Sequence, residues 1–379
     1  MKTIGILAPD SNNNHLSYYQ SIVDTYSSYR IMVFTNTWIR ENLVIAEHSQ
    51  VRFILKYENE TFRNYFKSIQ SEIKKLDLLI CEELYTAFIP FLLLVCPIKV
   101  KKLFSLHDVN KWLLPPCYLK LKYLYYNILR RRVISNIDGF IVISPNVKKY
   151  IIDAGLTQKP VFFIPFNSLN KVVYEKKQDC RKNPLRITIP GSINTLRRDY
   201  LFVLNVFEEV LIEGIHNLEL VLLGKLINSN DSDLIREKCN SINNAYGQRV
   251  RYWEAYVSPE EYDLYLKETD FLMSNNNPIY RHSGYLEIYG LSKETGIGYL
   301  MLKYMKPCII AISNIPMLCT KRQTLTYSSK DELSDLLVQI SKGIITAEQF
   351  HKAIIEGHTS FMQLINSERA ALINYTWDE

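Results

Sequence analysis

The sequence predicts an α/β protein made of two doubly wound halves. Short β-type apolar runs alternate with longer amphipathic ones along most of the chain, the alternation lapses once in a charged stretch before restarting, and 379 residues at 47% hydrophobic content supply two cores rather than one. Strands that alternate with helices pair in parallel, because each crossover helix returns the chain to the same end of the sheet.

Taken in order, residues 4–8 form a first strand. A polar loop opening with Asp10, Ser11 and Asn12 follows, then a helix over 16–27. Strands are expected at 31–35 and 51–55, a helix at 61–75, and strands at 76–81 and 100–106. A helix over 118–135, a strand at 139–143, a helix opened by Pro145 and a strand at 161–164 complete the first half. Lysine, arginine and acidic residues crowd 171–182 and mark a linker at 169–184. The alternation restarts with strands at 185–189 and 218–223 and helices at 199–213 and 231–246. It continues with a short strand at 249–253, a helix at 258–267 and strands at 271–274 and 308–311. The domains are therefore 1–168 and 185–345, with a helical tail over 346–379 free to fold back on the first.

Composition narrows the function. Charged residues make up 22% and the formal net charge is +6, which suits a phosphate-bearing ligand or an anionic surface without demanding nucleic acid. The seven cysteines are scattered with no C-x-x-C pair, against a zinc or redox motif. The apolar stretch before Pro9 and Asp10 is too short for a secretory leader, and a reducing cytoplasm is the expected compartment. The longest apolar run, 87–98, is about half a membrane span and is broken by Pro90 and Pro97, so it reads as a buried helix.

Residues 287–307 read Glu-Ile-Tyr-Gly-Leu-Ser-Lys-Glu-Thr-Gly-Ile-Gly-Tyr-Leu-Met-Leu-Lys-Tyr-Met-Lys-Pro. A polar, glycine-bearing loop turns there into an apolar helix, with Thr295 and Gly296 at its start. Unpaired N–H groups and the positive end of the helix dipole make such a start a phosphate site. Glu287, Lys293 and Glu294 lie in the same loop. A second motif, Ile189-Pro-Gly-Ser-Ile-Asn-Thr-Leu-Arg-Arg-Asp-Tyr200, ends a strand in Gly191 and sets a basic residue before a helix. Arg198 is preferred over Arg197 because it directly precedes Asp199, a helix cap. Residues 220–225 end another strand in Gly224, and Phe104-Ser-Leu-His-Asp-Val109 ends a strand in His107 and Asp108. Asp231-Ser-Asp233 matches a D-x-D metal motif, but helix capping accounts for it and no metal is expected. The stretch 118–133 mixes tyrosines with lysines and arginines and reads either as a solvated basic helix face or as a contact for an anionic membrane surface.

On these motifs, most strongly over 185–313, the chain resembles the GT-B-fold glycosyltransferases, and among them the retaining nucleotide-sugar enzymes that build cell-surface glycans. The resemblance implies two Rossmann-like domains facing across a cleft. It implies Gly191, Arg198, Lys293, Thr295 and Gly296 on the donor diphosphate, and Gly224 and Glu294 on the nucleoside. His107, Glu287 and Lys293 become the catalytic candidates, and Asp10, Ser11, Asn12 and Asp108 lie on the acceptor side. Asp108 could also orient His107. The partners implied are a nucleotide-sugar donor, held as substrate without a cofactor, and a glycan or lipid-linked acceptor. Six residues separate Glu287 from Glu294 where the family usually has seven, and an alternative register makes 293–296 the functional unit. That departure keeps a catalytically inactive sugar- or nucleotide-binding subunit open, and a nucleotide-sugar epimerase is a further alternative.

Overall fold

The computed structural model describes residues 2–9, 16–43, 50–83, 87–118, 120–166, 169, 184–228, 231–282 and 284–377. Asp10, Ser11, Asn12 and nearly all of the expected linker lie outside them. The chain divides into two units. One holds residues 1–168, 281–294 and 362–379, and the other 169–280 and 295–361.

In the first unit the elements run β1 (Thr3–Ala8), α1 (Leu16–Thr25), β2 (Arg30–Asn36), α2 (Thr37–Asn42), β3 (Val51–Lys56), α3 (Phe62–Ile73), β4 (Leu78–Cys81), α4 (Phe88–Leu94), β5 (Lys101–Leu106), α5 (Val109–Leu113), α6 (Leu121–Ser135), β6 (Gly139–Val142), α7 (Pro145–Asp153) and β7 (Val161–Phe163). The seven strands lie in the order β3-β2-β1-β4-β5-β6-β7, all parallel. The order reverses between β1 and β4. At such a switch point the crossovers on either side diverge and leave a crevice at the strands' carboxyl ends. Ile4, Ile6, Ile80, Leu103 and Ile141 are fully buried in the core, as strands covered on both faces require.

The second unit holds β8 (Leu185–Pro190), α8 (Tyr200–Ile212), β9 (Leu218–Lys225), α9 (Ser232–Tyr246), β10 (Val250–Trp253), α10 (Pro259–Glu268) and β11 (Phe271–Ser274), after which the chain forms the short strands β12 (Ile279–His282) and β13 (Tyr285–Ile288), β13 within the first unit. Then come α11 (Ile297–Tyr304), β14 (Cys308–Ala311), β15 (Thr324–Tyr327), α12 (Lys330–Ser341) and α13 (His351–Trp377). The sheet order is β10-β9-β8-β11-β14-β15, again parallel, with its switch point between β8 and β11. Local chemistry sets the helix starts. The Asp199 side chain accepts from Phe202 N–H at 3.0 Å, and Ser258 accepts from Glu261 N–H at 3.1 Å with Pro259 behind it.

Three differences from the sequence-based expectation matter. Strand β15 completes the second sheet from a run whose burial is too uneven to read as a core strand. Residues 281–294 fall inside the expected second domain yet belong to the first unit, for reasons that lie in their side chains. The second half of α13 belongs to the first unit too. Leu372 is fully buried in that core, Tyr26 and Thr376 hydroxyls meet at 3.1 Å, and Trp377 Nε1 donates to Tyr29 at 2.9 Å.

Candidate functional site

The carboxyl ends of the second unit's strands gather most of the residues expected at a diphosphate. Gly191, at the end of β8, has φ +96°, a conformation that costs glycine least. A side chain there would meet the Arg198 guanidinium at 3.3 Å, so the bare turn and the cation form one surface. Arg198 is fixed rather than waving in solvent. Its Nε donates to Asn276 Oδ1 at 2.9 Å and its Nη1 to Tyr200 at 3.0 Å. Asn276 carries the arrangement onward, because it lines a small cavity with Ser274, Thr295, Ile297, Asn314 and Met317. Asn314 Nδ2 donates to the Asn276 carbonyl at 3.0 Å. The turn after β8, the end of β11 and the start of α11 are thus joined through one asparagine.

The start of α11 is more occupied than its sequence implies. Gly296 is the left-handed N-cap residue at φ +78°. Thr295 Oγ1 takes the Ile297 N–H at 3.3 Å, and a Cβ on Gly298 would fall 2.8 Å from Met317. Gly224, expected on the nucleoside, has a packing duty: a Cβ there would sit 2.4 Å from the Gly191 carbonyl oxygen. Only a glycine lets the end of β9 pass that close to the Gly191 turn.

The first unit holds a buried ionic cluster at the ends of β4 and β5. Glu82 and Glu83 follow β4, and His107 and Asp108 follow β5. Lys111 comes from α5 and Lys293 from the 281–294 segment. His107 Nε2 bonds to Glu82 Oε1, Lys111 Nζ to Glu83 Oε1, and Lys293 Nζ to Asp108 Oδ1. Asp108 Oδ2 lies 3.9 Å from Lys111 Nζ, and the Tyr18 ring stands edge-on to the imidazole at 5.5 Å. Burial pulls the His107 pKa down, but the Glu82 carboxylate beside it overrides this and holds it above the usual histidine value. Burial would raise Asp108, and Lys293 and Lys111 hold it below the usual carboxylate range instead. Lys293, desolvated but paired with Asp108, is raised.

These contacts correct two expectations. His107 Nε2 bonds to Glu82, which sequence reading did not name, and Asp108 engages Lys293, the residue expected on the leaving phosphate. Glu287, expected to face a donor sugar, is buried at 1% exposure and accepts three hydrogen bonds. They come from Lys111 N–H at 2.8 Å, Asn110 N–H at 3.3 Å and the Ser292 hydroxyl at 2.6 Å. Asn110 Nδ2 also donates to the Leu286 carbonyl at 2.8 Å and Asn146 Nδ2 to Gly290 at 2.9 Å. These bonds tie residues 281–294 to the first unit. Glu294 thus belongs to the first unit and Gly224 to the second. The D-x-D stretch behaves differently from its reading as a cap. Asp231 occupies the N-cap position of α9 with no side-chain cap bond, and Asp233 pairs with Arg236.

Sequence inspection missed Glu82, Glu83, Lys111 and Asn276. The signal was present for three of them: Cys81-Glu-Glu83 and Ser274-Asn-Asn276 both set polar side chains directly after an apolar strand.

No family model matches the chain, and no curated protein matches it. Solved structures do. Anabaena HepE in complex with UDP-glucose aligns at a TM-score of 0.68 over 99% of this chain and 100% of that one, at 12% identity. A glycosyltransferase from Rickettsia africae ESF-5 aligns at 0.64 over 99% and 97%, at 13% identity. Sucrose-phosphate synthase from Thermosynechococcus elongatus aligns at 0.60 over 99% and 98%, at 12% identity. The fold is GT-B. What the GT-B enzymes share with this chain at such identities is the backbone plan, two parallel sheets each with one switch point. The chemistry must be argued from the side chains set at those points.

Proposed function

We propose that the protein is a glycosyltransferase that moves a sugar from a nucleoside-diphosphate donor to a glycan or lipid-linked acceptor, with retention, in cell-surface polysaccharide biosynthesis. The observation that carries this is the Arg198 guanidinium held against the side-chain-free turn at Gly191, at the switch point of the second sheet. A diphosphate oxygen approaching that turn meets backbone and a fixed cation with no Cβ in the way. As the bond from the anomeric carbon to the leaving phosphate breaks, negative charge grows on the diphosphate, and a preorganised cation lowers the barrier to that step. Nothing in this step requires a metal ion, so transfer is expected to be metal-independent. HepE, solved with UDP and with UDP-glucose, makes uridine sugars the first donors to test.

In the first unit, His107 is the group suited to hydrogen-bond a sugar hydroxyl, with Glu82 holding its pKa above the usual histidine value. Glu287 and Lys293 act as supports of α5 and of the ionic cluster. Their engagement within the first unit favours one competing reading, a subunit that binds nucleotide without turnover.

The test is a donor panel. Thermal shift and calorimetry with UDP, GDP, CMP and their sugars identify the nucleotide, and nucleotide release with and without EDTA reports turnover. Loss of one charge-assisted contact in Arg198→Ala should weaken the nucleotide by about 10- to 100-fold. Wild-type affinity in that variant would refute the assignment of the diphosphate. Binding without release on any donor and acceptor would favour the inactive subunit. An NMR coupling constant at the product's anomeric proton decides retention.

A further inference from the structure

We infer that α4 and α6 of the first unit form a docking surface for an anionic lipid bilayer. The inference goes beyond the transfer reaction and does not depend on it. Helix α6 has a fixed orientation. Leu129, Arg130 and Val133 are buried, the Arg130 guanidinium stacks on the Tyr285 ring at 4.8 Å, and Lys159 Nζ caps the far end through the Ile134 carbonyl at 2.6 Å. The opposite face is therefore committed outward. At helical spacing it presents Leu121, Tyr125 and Ile128, with Leu121 85% exposed and Ile128 54%. Helix α4, packed beside α6, adds Ile89 and Leu93, the latter 66% exposed. Five large apolar side chains on two adjacent helices make a patch that a protein alone in water has no reason to keep.

Charge identifies the occupant. Lys120, Lys122, Arg131 and Arg132 are exposed and flank the apolar stripe. None of the four forms an ion pair among the described residues. Over residues 84–137 the sequence carries a single carboxylate, Asp108, and that one is buried. An apolar stripe edged by cations without ion-pair partners, on a stretch of sequence almost free of carboxylates, matches an interface of acyl chains beneath anionic headgroups rather than a protein surface of mixed charge. No helix among the described residues is long and apolar enough to cross a membrane, so the contact is interfacial.

The experiment is vesicle co-sedimentation of the full chain with phosphatidylcholine alone and with 30% phosphatidylglycerol, each at low and high salt. Binding is expected on the anionic vesicles only and should fall at high salt. Arg131→Gln and Arg132→Gln should each weaken it about fivefold, the equivalent of ~1 kcal/mol per charge at an anionic surface. Leu121→Ser with Ile128→Ser should abolish the salt-resistant remainder while nucleotide binding in solution stays at the wild-type level. Equal binding to neutral and anionic vesicles would overturn the proposal, as would no binding to either. A patch buried instead in a dimer, seen as a mass change that Leu121→Ser abolishes without vesicle binding, would also overturn it. Loss of vesicle binding with intact donor turnover sinks this inference alone, whereas absent nucleotide binding with intact docking sinks only the transferase reading.

Discussion

Replacing Glu287 by glutamine should remove a pH dependence of stability that the wild-type protein carries. Burial raises the Glu287 carboxyl from 4.5 to about 7, and its bonds from Ser292, Lys111 and Asn110 only partly offset that. A carboxyl whose pKa is higher folded than unfolded binds more protons in the native state between those two values. Stability then falls as pH rises from 4.5 through about 7 and is level above it. At 1.36 kcal/mol per pH unit the full span is about 3 kcal/mol, of which ~0.8 is already lost at pH 5. Between pH 5 and pH 8.5 the wild type should therefore lose about 2–3 kcal/mol more than Glu287→Gln. Glutamine suits the site because it copies the protonated acid. Its carbonyl can take the Lys111 N–H, and its amide can donate to Ser292 Oγ, which already accepts from Ile288 N–H at 2.8 Å, at the loss of the long 3.3 Å bond from Asn110 N–H. Urea unfolding of both proteins across that range measures the difference directly. Parallel pH profiles, agreeing within about 0.5 kcal/mol, would show that Glu287 is ionised in the folded protein and that its burial is offset by its three donors.

Two further substitutions test the supports of the site. Gly224→Ala brings a Cβ to 2.4 Å from the Gly191 carbonyl oxygen, a backbone atom that cannot rotate away. It should cost about 1–3 kcal/mol of stability and weaken nucleotide binding, measured by urea unfolding and calorimetry; a neutral outcome would mean that the β8 and β9 ends are not held together there. Glu82→Gln removes the carboxylate that opposes the effect of burial on His107. The imidazole pKa should fall, followed by NMR at its ring protons. Stability that the wild type holds below the unfolded histidine value, and loses as pH rises through the folded one, should shrink; an unchanged imidazole titration would remove Glu82 as its partner.

The fold was legible because its signals are local. Strands such as 271–274 and 308–311 are short apolar runs between helices that begin with recognisable caps, and Asp199 and Ser258 cap as their positions suggest. Parallel order follows from that alternation with little further information. What local pattern does not carry is which unit a loop joins. Residues 281–294 lie between β11 and α11 in sequence, so they read as part of the second domain. Their membership is decided by Asn110, Asn146 and Lys111, more than 100 positions away, through bonds to Glu287, Leu286 and Gly290. Strand β15 was lost for a related reason, since as an edge strand it is only partly buried and lacks a continuous apolar run.

The same distinction explains the site. Gly191 and Arg198 were found because the strand end, the turn and the helix cap lie within ten residues, and the structure closes that span into one surface. The ionic cluster was half found, because its members come in local pairs whose partners are remote. His107-Asp108 and Glu82-Glu83 each look like polar punctuation after a strand, and only the adjacency of β4 and β5 shows that they answer one another. Once they do, the charges nearly cancel. Glu82, Glu83 and Asp108 face Lys111, Lys293 and a His107 whose pKa Glu82 holds up, while Glu287 sits beside them with its pKa raised to about 7. A balanced set of buried ions tolerates no single deletion well, since each loss leaves an unpaired charge out of water. Lys293 is therefore held by Asp108 at a cost that a ligand phosphate would have to match, so that of the two cations the sequence set on the diphosphate, Arg198 and Lys293, the second is engaged in neutralising a carboxylate.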